Sequence, residues 1–104
     1  MNAQGQKLYN GQVPATNTAV YTAVHRTKIT YIVAVNTSVT ARTLKLWHGD
    51  TDDEDVILPA TSVDASGGKA EFDGELWIEK GEVLYAVAAA ATALTLSIFG
   101  EVYT

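Results

Sequence analysis

Apolar and polar side chains alternate with a period of two along most of the chain. In Ala41 to His48 (ARTLKLWH), Leu44 and Leu46 share one face, and Thr43, Lys45 and Trp47 share the other. In Glu75 to Glu79 (ELWIE), Leu76 and Ile78 oppose Glu75, Trp77 and Glu79. Ala93 to Tyr103 sets Leu94, Leu96 and Ile98 against Thr95, Ser97, Phe99, Glu101 and Tyr103. This is the period of strands with one face on a core. Lys28 to Thr37 (KITYIVAVNT) is apolar on both faces, with Ile29, Tyr31, Val33 and Val35 on one and Ile32 and Ala34 on the other. It reads as a central or covered strand.

Shorter strand candidates are Leu8 to Val13, Ala19 to His25, Asp55 to Leu58, Ala70 to Phe72 and Val83 to Ala88. Breaks are expected at Pro14, Asn36 to Thr40, His48 to Asp53, Pro59, Ser66–Gly67–Gly68, Asp73–Gly74 and Lys80–Gly81. No segment has the periodicity of an amphipathic helix, and Ala88 to Ala91 reads as a link between two strands. Short strands with frequent turns predict one all-β domain over residues 1–104, an antiparallel β-sandwich of jelly-roll type. The polar residues 1–7 are expected to form an arm, flexible or clasping a partner.

At 104 residues the chain suffices for one core, and its 47% apolar content favours a packed fold over disorder. Charged residues make up 18%, below the usual ~25% of soluble domains, which suggests that part of the surface is covered by something else. A net charge of −5 with scattered Lys and Arg excludes the basic footprint that nucleic acid or an anionic membrane requires. The absence of cysteine removes disulfides, thiolate metal sites and thiol nucleophiles. Val83 to Phe99 barely reaches the length of a membrane helix, and Thr92, Thr95 and Ser97 interrupt it, so no membrane span is expected. The first residues have no apolar run behind a basic segment and do not read as a signal peptide.

No catalytic constellation emerges, and the chain is expected not to be an enzyme. His25 and His48 belong to no zinc or nucleophile motif. Glu75 and Glu79 on one strand would lie about 13 Å apart, beyond the ~6.5–9.5 Å of an inverting glycosidase pair. Ser66–Gly67–Gly68–Lys69 lacks the spacing of a phosphate loop. The acidic run from Asp50 to Asp55 makes Asp50, Asp52 and Glu54 weak candidates for calcium, without the glycine and glutamate of an EF-hand; a solvated loop is the favoured reading, and no cofactor is expected.

The aromatic residues carry more information. If the leucines and isoleucines face inward, Trp47, Trp77, Phe99 and Tyr103 point outward, where aromatics anchor protein contacts. These four, with Leu8 and Tyr9 of the arm, are the candidate interface; a sugar-stacking platform and cover by the chain itself are the alternatives.

The order Leu8-Tyr9-Asn10-Gly11, Val13-Pro14-Ala15, Tyr21-Thr22, Val35-Asn36-Thr37, Leu44 and Leu46, Phe72-Asp73-Gly74, Gly81-Glu82 and Gly100-Glu101 resembles small virion proteins of tailed bacteriophages over nearly the whole chain. The resemblance implies a β-sandwich made in the bacterial cytoplasm and carried on the particle. It would be a capsid decoration or cement subunit, or a neck or tail component. Its partners would be further copies of itself, in a symmetric oligomer such as a trimer, and other virion proteins such as the major capsid protein. A calcium-assisted carbohydrate-binding module is the competing expectation.

Overall fold

The computed structural model describes residues 3–90 and 93–104. Eight strands follow one another: β1 (Ala3–Gln12), β2 (Thr18–Thr22), β3 (Arg26–Asn36), β4 (Arg42–His48), β5 (Val56–Val63), β6 (Lys69–Ile78), β7 (Val83–Ala88) and β8 (Leu94–Tyr103). They form two four-stranded antiparallel sheets, ordered β1-β8-β3-β6 and β2-β7-β4-β5. The strand order is that of a jelly roll, as the turn spacing and alternation predict.

The core lies between the sheets. Leu94, Leu96 and Ile98 of β8, Ile29, Ile32 and Ala34 of β3, Leu44 and Leu46 of β4, and Leu84 and Ala86 of β7 are all buried there. Hydrophobic burial at about 25 cal/mol per Å² is the principal stabilising term. The stretch from Val83 to Phe99 divides between two strands, and among the described residues no helix is long and apolar enough to cross a membrane. The Ala88 to Ala91 link bends at Ala89 and Ala90; Ala91 lies outside the described residues.

Three sequence expectations are corrected. Residues 3–7 do not form an arm: they belong to β1, paired with β8, and Leu8 and Tyr9 pack on their own core; residues 1 and 2 lie outside the described residues. Pro59 does not end β5, which runs on to Val63; β5 is an edge strand, where a missing N–H costs no ladder bond. Asp73–Gly74 is not a turn between two strands but a bulge within β6, with Gly74 at φ 144°.

That bulge belongs to a line crossing one sheet. Relative to the regular β8, an extra residue sits at Leu8 in β1, between the rows of Ile98 and Phe99, and others at Thr30 in β3 and Gly74–Glu75 in β6, between the rows of Phe99 and Gly100. Bulges sharpen the local twist and re-aim side chains. In β3 the bulge reverses the alternation, so Ile29 and Ile32 both point inward while Tyr31, Val33 and Val35 turn outward. Backbones approach closely here: a Cβ on Gly100 would lie 2.5 Å from the Lys28 carbonyl oxygen and 3.1 Å from Leu8 Cδ1. Only glycine fits, and Leu8 fills the space beside it.

Candidate functional site

The bulge line gathers the aromatic residues on the outer face of the β1-β8-β3-β6 sheet. Reading across the strands, one row is Lys7–Phe99–Tyr31–Asp73, and the next is Gly5–Glu101–Lys28–Trp77. Arg26 and Tyr103 pair on the level beyond. The Tyr31 and Phe99 rings stack with centroids 6.2 Å apart, and Trp77 and Tyr103 meet at 5.3 Å with a 42° tilt. Cations lie over these rings: Arg26 is 4.2 Å and Lys28 5.7 Å from the Trp77 centroid, and Lys7 is 5.7 Å from that of Phe99. Cation–π contacts of this kind contribute about 0.5–1 kcal/mol when exposed.

Carboxylates complete the lattice. Lys28 bridges Glu101 at 3.1 Å and Glu75 at 3.6 Å, Arg26 meets Glu79 at 3.1 Å, and Lys69 meets Glu71 at 3.3 Å. The Tyr31 hydroxyl donates to Glu71 Oε2 at 2.7 Å, and the Tyr103 hydroxyl donates to Glu101 Oε1 at 3.1 Å. The hydrogen bond from Lys28, then that from Tyr103, holds the Glu101 carboxyl below the usual range, and the Glu101 bond raises Lys28 in turn. Tyr31 does the same to Glu71, with Lys69 second, and its own phenol is pushed up by donating to that carboxylate. The arrangement fixes the rings in place as a rigid, amphipathic surface.

The candidate interface residues therefore divide. Trp77, Phe99 and Tyr103 share this face, and Trp77 is 36% exposed. Trp47 does not share it: it belongs to the other sheet, where Tyr85 and Val56 stand beside it on the ladder, and it is only 4% exposed. Lys45 Nζ lies 5.0 Å from its ring centroid, and its indole N–H has no hydrogen-bond partner among the described residues. Leu8 and Tyr9, turned to the core, are not on the face either. Alternation alone missed Tyr31, because the bulge at Thr30 that turns it outward leaves no mark in the period-two pattern.

The chain matches no protein-family model and no curated protein.

The acidic run forms the β4–β5 connection, with a short 3-10 turn at Asp53–Asp55. Its five carboxylates equal the net charge of −5, so the other seven are matched in number by the seven Lys and Arg. Asp52 and Glu54 converge with Asp55, their ligand oxygens within 4.8 Å of one another. The third predicted candidate, Asp50, is no part of that group; its carboxylate accepts from the Thr51 N–H at 2.8 Å. Like charges on an exposed turn are a common arrangement without an ion, and no other feature at the loop points to one.

His48 Nε2 lies 3.2 Å from Glu82 Oε1. That carboxylate also accepts the Glu79 N–H at 2.7 Å, which, ahead of His48, holds it below the usual range and fastens the β6–β7 turn. His25 is exposed. Of the two rings a sugar platform would use, Trp47 is buried, and Trp77 carries Arg26 4.2 Å from its centroid.

Proposed function

We propose that the protein is a structural subunit of a tailed-bacteriophage particle, a capsid decoration or cement protein that works by assembling through the outer face of its β1-β8-β3-β6 sheet. The observation that carries the reading is the concentration of Tyr31, Phe99, Trp77 and Tyr103 on that face. Aromatic and Arg side chains dominate binding energy in protein interfaces, and rings already fixed by ion pairs lose little entropy on contact. Two features support it further. Charged residues are only 18% of the chain, and five of its carboxylates sit on the β4–β5 connection, which belongs to the other sheet. Jelly rolls also recur in viral capsids, a fold-level analogy that lectins and cupins share.

On this reading the work is mechanical. Apolar area buried between subunits stabilises each contact, and symmetry repeats it over the particle. A neck or tail position would use the same surface. Mass spectrometry of purified heads and tails, separated from each other, tests the proposal. The protein is expected in fixed stoichiometry with the major capsid protein in the head fraction. Enrichment with tails would move it to the neck or tail, and absence from both would overturn the reading.

A further inference from the structure

Lys7 and Asp73 stand at opposite margins of the outer face, at the two ends of a single row across the sheet. Both are exposed. The other charges of the face are engaged in pairs, Arg26 with Glu79, Lys28 with Glu75 and Glu101, and Lys69 with Glu71. Lys7 Nζ lies over the Phe99 ring, and neither Lys7 nor Asp73 has an ion pair among the described residues. One unmatched cation and one unmatched anion thus lie on the same level, on the two edge strands.

The edges themselves are compatible. Three antiparallel steps separate β1 from β6, so the two run in opposite directions. A second copy displaced sideways would therefore set its β1 antiparallel against β6, continuing the ladder already in the sheet. Both strands are 10 residues long, and their bulges flank the Lys7–Asp73 row on opposite sides, Leu8 toward the Ile98 row and Gly74–Glu75 toward the Gly100 row, so the Lys7–Asp73 and Gly5–Trp77 rows stay level across the sheet. Aligned row to row, Asp73 meets Lys7 of the next copy, and Trp77 lies beside Gly5 of that copy. Space is open above Gly5, where a Cβ would meet nothing within 4 Å. An aromatic side chain covering an edge glycine is a recognised cross-strand pairing. The edges of the other sheet are poorer: β5 carries an exposed Pro59 and two register shifts, and β2 is only 5 residues long.

We propose that copies of this chain associate head to tail, β6 of one pairing antiparallel with β1 of the next, with the Lys7–Asp73 ion pair and the Trp77–Gly5 contact setting the register. The inference rests on the assembly reading above but concerns the sheet edges rather than the face. Such a contact joins two different surfaces, so it closes into a ring or runs on as a filament according to the rotation per step.

Sedimentation velocity over a concentration series, on the wild type and on Lys7→Glu, Asp73→Lys and the double swap, provides the test. Each single reversal replaces attraction by repulsion and is expected to weaken association roughly tenfold, and the swap is expected to restore it. Hydrogen exchange should slow in β1 and β6 on going from dilute to concentrated protein. Lys7→Gln and Asp73→Asn replace the reversals if either lowers the melting temperature. A wild type that stays monomeric, or a double swap no better than its parents, overturns the edge pairing. So does association without protection of β1 and β6, although that last result leaves assembly through the outer face standing.

Discussion

Asn36 is fully buried, and its side chain ties one end of the sandwich together. Its Nδ2 donates to the carbonyls of Thr40 at 2.9 Å and Val63 at 3.0 Å. Its Oδ1 accepts from the Ser38 N–H at 2.9 Å and the Ser38 hydroxyl at 2.7 Å. Replacing it by alanine leaves the Ser38 N–H and the Val63 carbonyl without these partners. The Thr40 carbonyl keeps the Ser38 hydroxyl, 2.9 Å away. Two groups at ~1–3 kcal/mol each give a loss of about 2–6 kcal/mol. For a domain of this size that lowers the melting temperature by roughly 10–30 °C.

Asn36→Asp sharpens the test, because it keeps the shape and the acceptor but turns the donor into a carboxylate oxygen facing two carbonyls. Ionisation there is disfavoured, so the folded-state pKa of this Asp rises above the unfolded ~3.9. The deficit relative to wild type is therefore small below the unfolded pKa. It grows as pH rises and is complete above the folded pKa. Thermal melts followed by circular dichroism between acid and neutral pH measure both variants. A melting point within about 2 °C of wild type for Asn36→Ala, or a pH-independent deficit for Asn36→Asp, would refute the reasoning.

Four further outcomes are expected. Gly100→Ala forces a Cβ against the Lys28 carbonyl and destabilises by about 1–3 kcal/mol, read by urea denaturation. Trp47→Ala costs ~3–5 kcal/mol of fold stability because the ring is buried, whereas Trp77→Ala leaves the fold near wild type and weakens assembly, a contrast that melts and sedimentation separate. Glu71, Glu82 and Glu101 have depressed pKa values, so their contribution is present above the unfolded carboxylate pKa and is lost as pH falls through the folded values. Lys28 is raised, so its contribution is lost as pH rises through its folded pKa; melts across pH should show both declines, reduced by salt because the groups are at least partly open to solvent. Tyr31 should ionise later than a free phenol in an absorbance titration, and Glu71→Gln should bring it back toward the ordinary value.

The regular strands were legible because β7 and β8 alternate without interruption over their whole length. Where an extra residue enters, alternation misleads. Ile29 and Tyr31 are two apart in sequence, yet they lie on opposite faces, since the bulge between them shifts the register by one. Trp47 failed as an outward anchor for a different reason. The residue is on the outer face of its sheet, as its spacing from Leu46 requires, but neighbours on that sheet enclose it. Alternation reports direction and not exposure, and cover from another strand is a tertiary fact. Pro59 shows the same limit: a proline demotes a strand from the sheet interior and leaves it free to continue along an edge.

Oxidative footprinting of aromatic side chains, comparing dilute subunit with assembled particle, addresses the assembly face most directly. Trp77, Phe99, Tyr103 and Tyr31 should become protected on assembly, while Trp47, already enclosed, should react slowly in both states. Equal reactivity of the four before and after assembly, or protection confined to the opposite sheet, would contradict the role assigned to this surface.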